Sequence, residues 1–460
     1  MKLLFTISIF LIAITSTYSQ SLGYQDLGIL FSQNDEIGSA RFTGMSGAFG
    51  ALGGDISSIN INPAGIAIFN NSAFSGTFNS RNSAITANYY ENSTTNKDQF
   101  LNLSQAGGVL VFKNILDSEW EKFAFGFNYR ITKDFSEDIY ARGNSGVATF
   151  TNFPLDNNDP AFEYNIAEEQ IFSTNYSGKL SEINIAMSAV YQRKMHLGLS
   201  FNFYELNFSQ QSQLTEFNTD GNGNNLDANL YQENYTNGAG ASFNVGFIYK
   251  ARANFRFGMA YQSPTWFTEI IETTNITDNE GYFGDTEITV SNENTIYDNT
   301  AGGFFPSQEV LYRLKTPSKL TASAAFIFGK NGLLSLDYMI RNYQNMKLSN
   351  DNFAQENQFF QNQLRNTHSY NIGSEWRFDK LSLRGGYKFE QNPSKSSKGL
   401  NNLKGHSLGA GYHFGSFKLD FSYNNSNQNS AYNFYSGYNV NPSELEIDNR
   451  TFTTTITLLL

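Results

Sequence analysis

Hydrophobic and polar positions alternate with a period of two in segment after segment of this chain. Phe123, Phe125, Phe127, Tyr129 and Ile131 interleave with Lys122, Ala124, Gly126, Asn128 and Arg130. Phe255, Phe257, Met259 and Tyr261 interleave with Arg256, Gly258, Ala260 and Gln262, and residues 381–390 and 417–423 repeat the pattern. Successive side chains on a strand point to opposite faces, so each segment has one apolar face and one polar or small face. A soluble sandwich would alternate in the same way, but two features favour a membrane barrel. The polar faces carry charge and glycine at intervals, as a watery lumen would require. The connections also alternate in length. Short links fall near Leu116, Lys194, Ala251, Lys330, Lys380 and Gly415. Long, Asn-rich links fall at 91–103, 133–180, 216–231, 275–307, 350–365, 392–403 and 431–446. Outer-membrane barrels have short periplasmic turns and long outer loops, and about fourteen strands, an even number, leaves both ends periplasmic. Tyr89, Tyr90, Trp120, Tyr249, Trp266 and Trp376 lie near strand ends, where an interfacial aromatic belt belongs.

Composition narrows the class further. Aromatic residues make up 15% of the 460 and charged residues only 16%, with 38 Gly and 8 Pro. A mean hydropathy of −0.40 excludes a bundle of membrane helices, which needs repeated apolar runs of about 20 residues. The net charge of −11 argues against nucleic acid, whose phosphates call for clustered Lys and Arg. There is no cysteine, so disulfides and thiolate metal sites are ruled out. Lys2, the apolar stretch Leu3 to Ile14, and small residues Thr17 and Ser19 predict a secretory signal peptide over 1–19. His196, His368, His406 and His413 are the only histidines. None sits in a recognisable arrangement of nucleophile and base or in a metal-ligand cluster. An enzyme is therefore not expected, nor is a cofactor, and the barrel is expected to be monomeric.

Residues 20–70 break the pattern. Gly38 to Asp55 is glycine-rich without strand periodicity and leads into Asn62-Pro63-Ala64-Gly65. A phosphate-binding loop would need a following Lys-Ser/Thr pair in a strand–loop–helix unit, which is absent. Small residues allow close backbone packing in a confined space, and Met45, Phe49, Leu52 and Ile59 supply apolar contacts. The expected organisation is a hatch over 20–70 plugging the lumen of a barrel over 71–460, an all-β, transmembrane, antiparallel fold.

At these residues the sequence resembles the FadL family of outer-membrane transporters for long-chain fatty acids and aromatic hydrocarbons. Gly47-Ala48-Phe49-Gly50-Ala51-Leu52-Gly53-Gly54-Asp55 followed by Asn62-Pro63-Ala64-Gly65 looks like that family's N-terminal hatch. Phe257 to Thr265, Thr316 to Leu320 with Asp337-Tyr338, Leu383 to Tyr387, and His406 to Tyr412 resemble later family strands in the same order. Gln262 stands where the family usually has Arg, and Leu460 where it usually ends on an aromatic. The resemblance implies a 14-stranded plugged barrel in the outer membrane of a Gram-negative bacterium. Hydrophobic ligands would rest in a groove among the outer loops, pass to a pocket beside the hatch, and leave sideways into membrane lipid through a kinked strand.

Several residues are candidates for such a path. Phe150, Phe153 and Phe162 lie in the longest early loop. Asp159 before Pro160 marks a possible helix start, and a helix over 160–172 would offer apolar residues to a groove; a loop packed on itself is the alternative. Arg130, Arg256, Arg341 and Arg384 sit on the polar faces of their strands and could each grip a carboxylate. Asp337, Glu182, Glu375 and Glu390 could equally pair with them to build a polar lumen. Gly126, in mid-strand, is the candidate wall kink, though glycine there could also serve packing. A second functional class is a FadL-like shuttle serving a bacteroidete secretion system, which would have a protein partner and a blocked lumen.

Overall fold

The computed structural model describes residues 22–35, 37–114, 118–151, 158–278, 285–290, 293–298, 307–435 and 439–460. The signal peptide expected over 1–19, the short link at Leu116 and the candidate Phe153 lie outside the described residues. The wall is built in chain order from β1 (Ala73–Tyr89), β2 (Asn92–Lys113), β3 (Trp120–Asp134, resumed as Glu137–Gly143), β4 (Ile166–Tyr191), β5 (Met195–Thr219) and β6 (Asn225–Arg252). Then come β7 (Phe255–Gln262, resumed as Trp266–Asp278), β8 (Ser307–Lys315, resumed as Lys319–Phe328) and β9 (Gly332–Asn342, resumed as Lys347–Ser349). The ring is completed by β10 (Asn366–Phe378), β11 (Leu381–Glu390), β12 (Leu403–His413), β13 (Phe417–Tyr432) and β14 (Ser443–Leu459). Each strand pairs antiparallel with its chain neighbours, and β1 pairs with both β2 and β14. The result is a closed antiparallel barrel of fourteen strands, which leaves no edge to be satisfied by lipid.

The alternation sorts as the sequence implies. Phe123, Phe125 and Phe127 are exposed on the outer face while Ala124, Asn128 and Arg130 are buried toward the lumen. The outward faces of β10 to β14 likewise carry exposed Tyr370, Ile372, Leu383, Phe421 and Phe452. Trp120, Trp266 and Trp376 point outward near strand ends, but Tyr89 turns inward. It is buried, donates to Gln170 Oε1 at 2.8 Å, and packs on Phe434.

The long-loop end differs from expectation. β4, β5 and β6 run to 26, 25 and 28 residues, whereas a tilted strand crosses the hydrocarbon core in about 9–11. At about 3.3 Å per residue their far halves stand clear of the bilayer. The links expected at 91–103 and 216–231 are in fact ladders closed by the tight turns Tyr90-Glu91 and 220–224. Their Asn, Gln and Thr side chains give no hydrophobic alternation to read. They pair across strands instead, as in Gln213 with Asn229 and Thr86 with Thr95.

The expected helix over 160–172 is absent. Ile166–Phe172 open β4, where Ile171 and Phe172 pair with Arg142 and Ala141 of β3. Strand pairing on both sides outweighs one favourable helix-start residue. A short α-helix, α3 (Ala354–Gln363), occupies the link between β9 and β10. No described helix is long and apolar enough to cross a membrane.

Candidate functional site

The chain before β1 enters the barrel and stays there. The helix α1 (Tyr24–Ser32) seats at the long-loop end, and a tightly wound segment from Ser39 to Ile68 fills the lumen below it. Each turn of that segment is capped by its own sequence. Ser39 Oγ accepts from Phe42 N at 3.1 Å to start α2 (Ala40–Thr43). Asp55 Oδ1 accepts from Ser57 N at 2.9 Å to start the 3-10 turn Ile56–Asn60. Asn62 Oδ1 accepts from Ala64 N at 3.1 Å to start Pro63–Ile68, with Pro63 at the first position, where a missing N–H costs nothing. Asn62 Nδ2 donates to Gly50 O at 2.8 Å and Phe247 O at 2.9 Å. One fully buried side chain thus caps a turn, holds the glycine run and ties it to β6. Gly65 packs against Gly53, whose φ of +60° suits glycine.

The segment is fastened round the wall. Phe49 N and Gly50 N both donate to Asp337 Oδ2 at 2.9 Å. Arg41 Nε donates to Glu375 Oε2 at 2.8 Å, and the same buried carboxylate holds Arg384 and Arg377. Ala40 N donates to Thr455 Oγ1, and Ser57 Oγ to Gln105 Oε1. Wall glycines make room for it. A Cβ at Gly198 would lie 2.2 Å from Ala64 N, and one at Gly246 would lie 2.3 Å from Asn62 Oδ1. Gly126 belongs to this set. β3 runs in unbroken register through it, opposite Val109 and Ala186, and Ile59 and Ile66 fill the space over it. Gly126 is therefore a packing position. The ladder slips in β3 between Ile131 and Lys133. β7, β8 and β9 all break at one level, at Ser263-Pro264-Thr265, Thr316-Pro317-Ser318 and Tyr343 to Asn345. The prolines have no N–H for a ladder, and the break is bridged by Thr265 N to Thr316 Oγ1 at 2.9 Å and Thr316 N to Thr265 O at 3.0 Å.

The candidate arginines are engaged by the wall. Arg130 pairs with Glu182 at 2.8 Å, Arg341 with Glu390 at 2.7 Å, and Arg384 with Glu375 and Asp420 at 2.7 Å each. Asp337 serves the glycine run, and Arg256 donates to Leu52 O at 3.1 Å. The sequence offered both readings of these arginines; the geometry gives Arg130, Arg341 and Arg384 carboxylate partners within the lumen and Arg256 a hatch carbonyl.

Above the plug the surroundings become apolar. Leu27 and Phe31 of α1 join Tyr89, Phe135, Ile139, Phe172, Phe208, Tyr312, Phe360 and Phe434 in one buried cluster. Phe150 packs against it, anchored where Glu216 accepts from Thr149 N and Phe150 N at 3.0 and 3.1 Å. Phe162 is half-buried nearby in the chain, in the irregular stretch before β4. A groove beside α1 has a mixed lining, with Leu22, Ile29, Leu30, Phe135 and Ile139 next to Asp26, Gln33, Lys133, Glu137 and Gln428. Asp26 stands on the open side of α1, but its surroundings hold back enough water to push its carboxyl up to about 6. A second pocket, lined by Phe31, Leu180, Tyr204, Phe267, Thr316 and Pro317, reaches the proline break. The sequence reading missed α1, although Leu27, Leu30 and Phe31 stand at helical spacing. It also missed Arg41, which lies inside a run read only for its glycines.

Comparison with known proteins agrees with this architecture. The chain is similar to a FadL homologue from Pseudomonas aeruginosa at 15% identity, over 92% of this chain and 98% of that one, with a TM-score of 0.59. It is similar to the monoaromatic hydrocarbon channel CymD at 13% identity, over 92% and 97%, with a TM-score of 0.55. It is also similar to the Pseudomonas putida toluene transporter TodX at 12% identity, over 92% and 98%, with a TM-score of 0.54. No curated protein sequence matches. Residues 35–433 match the family described as outer membrane protein transport protein (OMPP1/FadL/TodX), and the chain belongs to that outer-membrane family.

Proposed function

We propose that this protein passes hydrophobic compounds, long-chain fatty acids or aromatic hydrocarbons, passively across the outer membrane, with residues 20–70 as its hatch. The observation that carries the reading is the contrast along the axis. The lumen is filled from Ser39 to Ile68, while above it a groove beside α1, with both apolar and polar walls, opens against the buried apolar cluster. Water-filled pores disfavour apolar solutes; a groove backed by an apolar cluster over a filled lumen admits them and leaves a sideways exit. Release into the bilayer occurs at the break where Pro264 and Pro317 face each other, because the inner pocket ends there and the ladder thins to one Thr265–Thr316 bridge. Phe150 and Phe162 contribute to the outer groove. Arg130, Arg341 and Arg384 hold the lumen together and do not grip ligand.

Native mass spectrometry of the detergent-purified barrel tests this, with fatty acids and alkylbenzenes offered in competition. One stoichiometric ligand is expected, lost when Leu30 and Phe135 on the groove are changed to Asn. A protein co-purifying with no small molecule retained would sink the reading.

A further inference from the structure

The short-turn end of the lumen holds cations that form no ion pair among the described residues. Lys122 of β3, Lys250 of β6 and Arg256 of β7 all lie on lumen-facing positions, in step with buried Ala124, Ile248 and Gly258. The register sets Lys250 directly opposite Arg256, and like charges so placed repel. Lys122 pairs with Val190 of β4, whose other neighbour is His196 of β5, and His196 is in turn opposite Ile248. Three cationic side chains and one buried histidine therefore share one patch of five neighbouring strands. Lys122 Nζ gives one hydrogen bond to Phe69 O at 2.7 Å, and Arg256 gives one to Leu52 O at 3.1 Å. An ammonium has three donors and a guanidinium five, so most remain available. The Lys250 ammonium has no hydrogen bond or ion pair among the described residues. The acid nearest in sequence, Glu121, is taken by Arg193 at 2.8 Å. His196 is 1% exposed, and its Nδ1 has no partner.

We propose that Lys122, Lys250, Arg256 and His196 form an oxyanion site of the phosphate class at the periplasmic mouth, beneath the hatch. An oxyanion there would relieve the Lys250–Arg256 repulsion and use the idle donors. It would also brace the hatch, because Lys122 and Arg256 already hold its carbonyls. The phosphate can come from a phospholipid of the periplasmic leaflet or from a free phosphate in the periplasm. Trp120, Tyr249 and Phe257 lie at the same strand ends, with Trp120 and Phe257 exposed on the outer face, within the reach of a lipid whose head group turns over the rim.

The test uses the full mature chain and the paired variant Lys250→Gln/Arg256→Gln. Lys250→Arg serves as the charge-conserving check and Arg450→Gln, an exposed cation on β14, as a surface-charge control. Inorganic phosphate is titrated in detergent against chloride at matched ionic strength, with thermal unfolding as readout. Separately, native mass spectrometry follows release from nanodiscs of phosphatidylglycerol or phosphatidylcholine. A rise in unfolding temperature with phosphate, kept by Lys250→Arg and lost in the paired variant, assigns the soluble source. About tenfold preferential retention of phosphatidylglycerol with the same variant pattern assigns the lipid source. Equal behaviour of phosphate and chloride, together with equal retention of both lipids or insensitivity to the paired variant, overturns the site.

Discussion

Replacing Gly198 with alanine tests whether the hatch is held by close backbone approach. The added Cβ would sit 2.2 Å from Ala64 N and 2.4 Å from Pro63 C, where ordinary contact begins at 3.4 Å. The two backbones must therefore part by about 1.2 Å, the difference between those separations. Neither yields easily. Gly198 is laddered between Ser188 and Gly246, and the Pro63 turn is pinned through Asn62 to Gly50 O and Phe247 O. Overpacking of this kind costs about 1–3 kcal/mol, and straining the two Asn62 bonds adds about 1 kcal/mol each. The wall itself needs no change, so the penalty falls on seating the hatch. The chain has no cysteine, so Ala67→Cys, fully buried in the hatch, reports opening through maleimide labelling. A loss of about 2 kcal/mol or more raises the open population, and hence the labelling rate, by roughly thirtyfold or more. Gly76→Ala is the control, since nothing lies within 4 Å of its added carbon. Equal labelling in the two backgrounds would refute the close-approach argument.

Other outcomes follow from the same geometry. Glu375→Gln leaves Arg41, Arg377 and Arg384 without their shared carboxylate, and stranding buried charge costs about 3–5 kcal/mol. The same cysteine reporter should open sharply, and an unchanged rate would show that the cluster is no latch. Asp26 is raised from 3.8 to about 6, so the native state favours its neutral form. The seat of α1 should be firmest near pH 4, weaken as pH rises through 6, and level off above. Hydrogen exchange at Leu27 to Phe31 should follow that slope and lose it in Asp26→Asn; exchange that slows as pH rises, after correction for intrinsic rates, contradicts it. Arg341→Gln should lower the unfolding temperature by stranding Glu390 while leaving the preference between palmitate and its alcohol unchanged; loss of that preference would restore the arginine as a ligand contact.

Much of this molecule is legible in one dimension because the bilayer imposes a period-two rule on every crossing. Phe123, Phe125 and Phe127 announce an outward face regardless of what lies inside, and the short links between Lys194 and Gly415 sit where the periodicity predicts. The hatch motif is legible too, since Ser39, Asp55 and Asn62 cap turns within two or three residues of themselves. The far halves of β4 to β6 are not legible. In water both faces of a strand can be polar, so Asn- and Gln-rich ladders read as loops until their partners are known.

The sequence alone therefore determined the barrel, its strand number, its inward and outward faces and the presence of a compact segment before it. These depend on local periodicity and local capping. Only the tertiary structure decided what fills the polar face at each level. Arg130, Arg256 and Arg384 look alike along the chain, yet one meets Glu182, one a hatch carbonyl, and one Glu375 with Asp420. Gly126 and Gly198 became hatch contacts, and Pro264 met the level of Pro317, for the same reason. Each outcome depends on which distant residue the closed ring brings opposite, and barrel closure sets that through pairings as remote as Ala73 with Leu459.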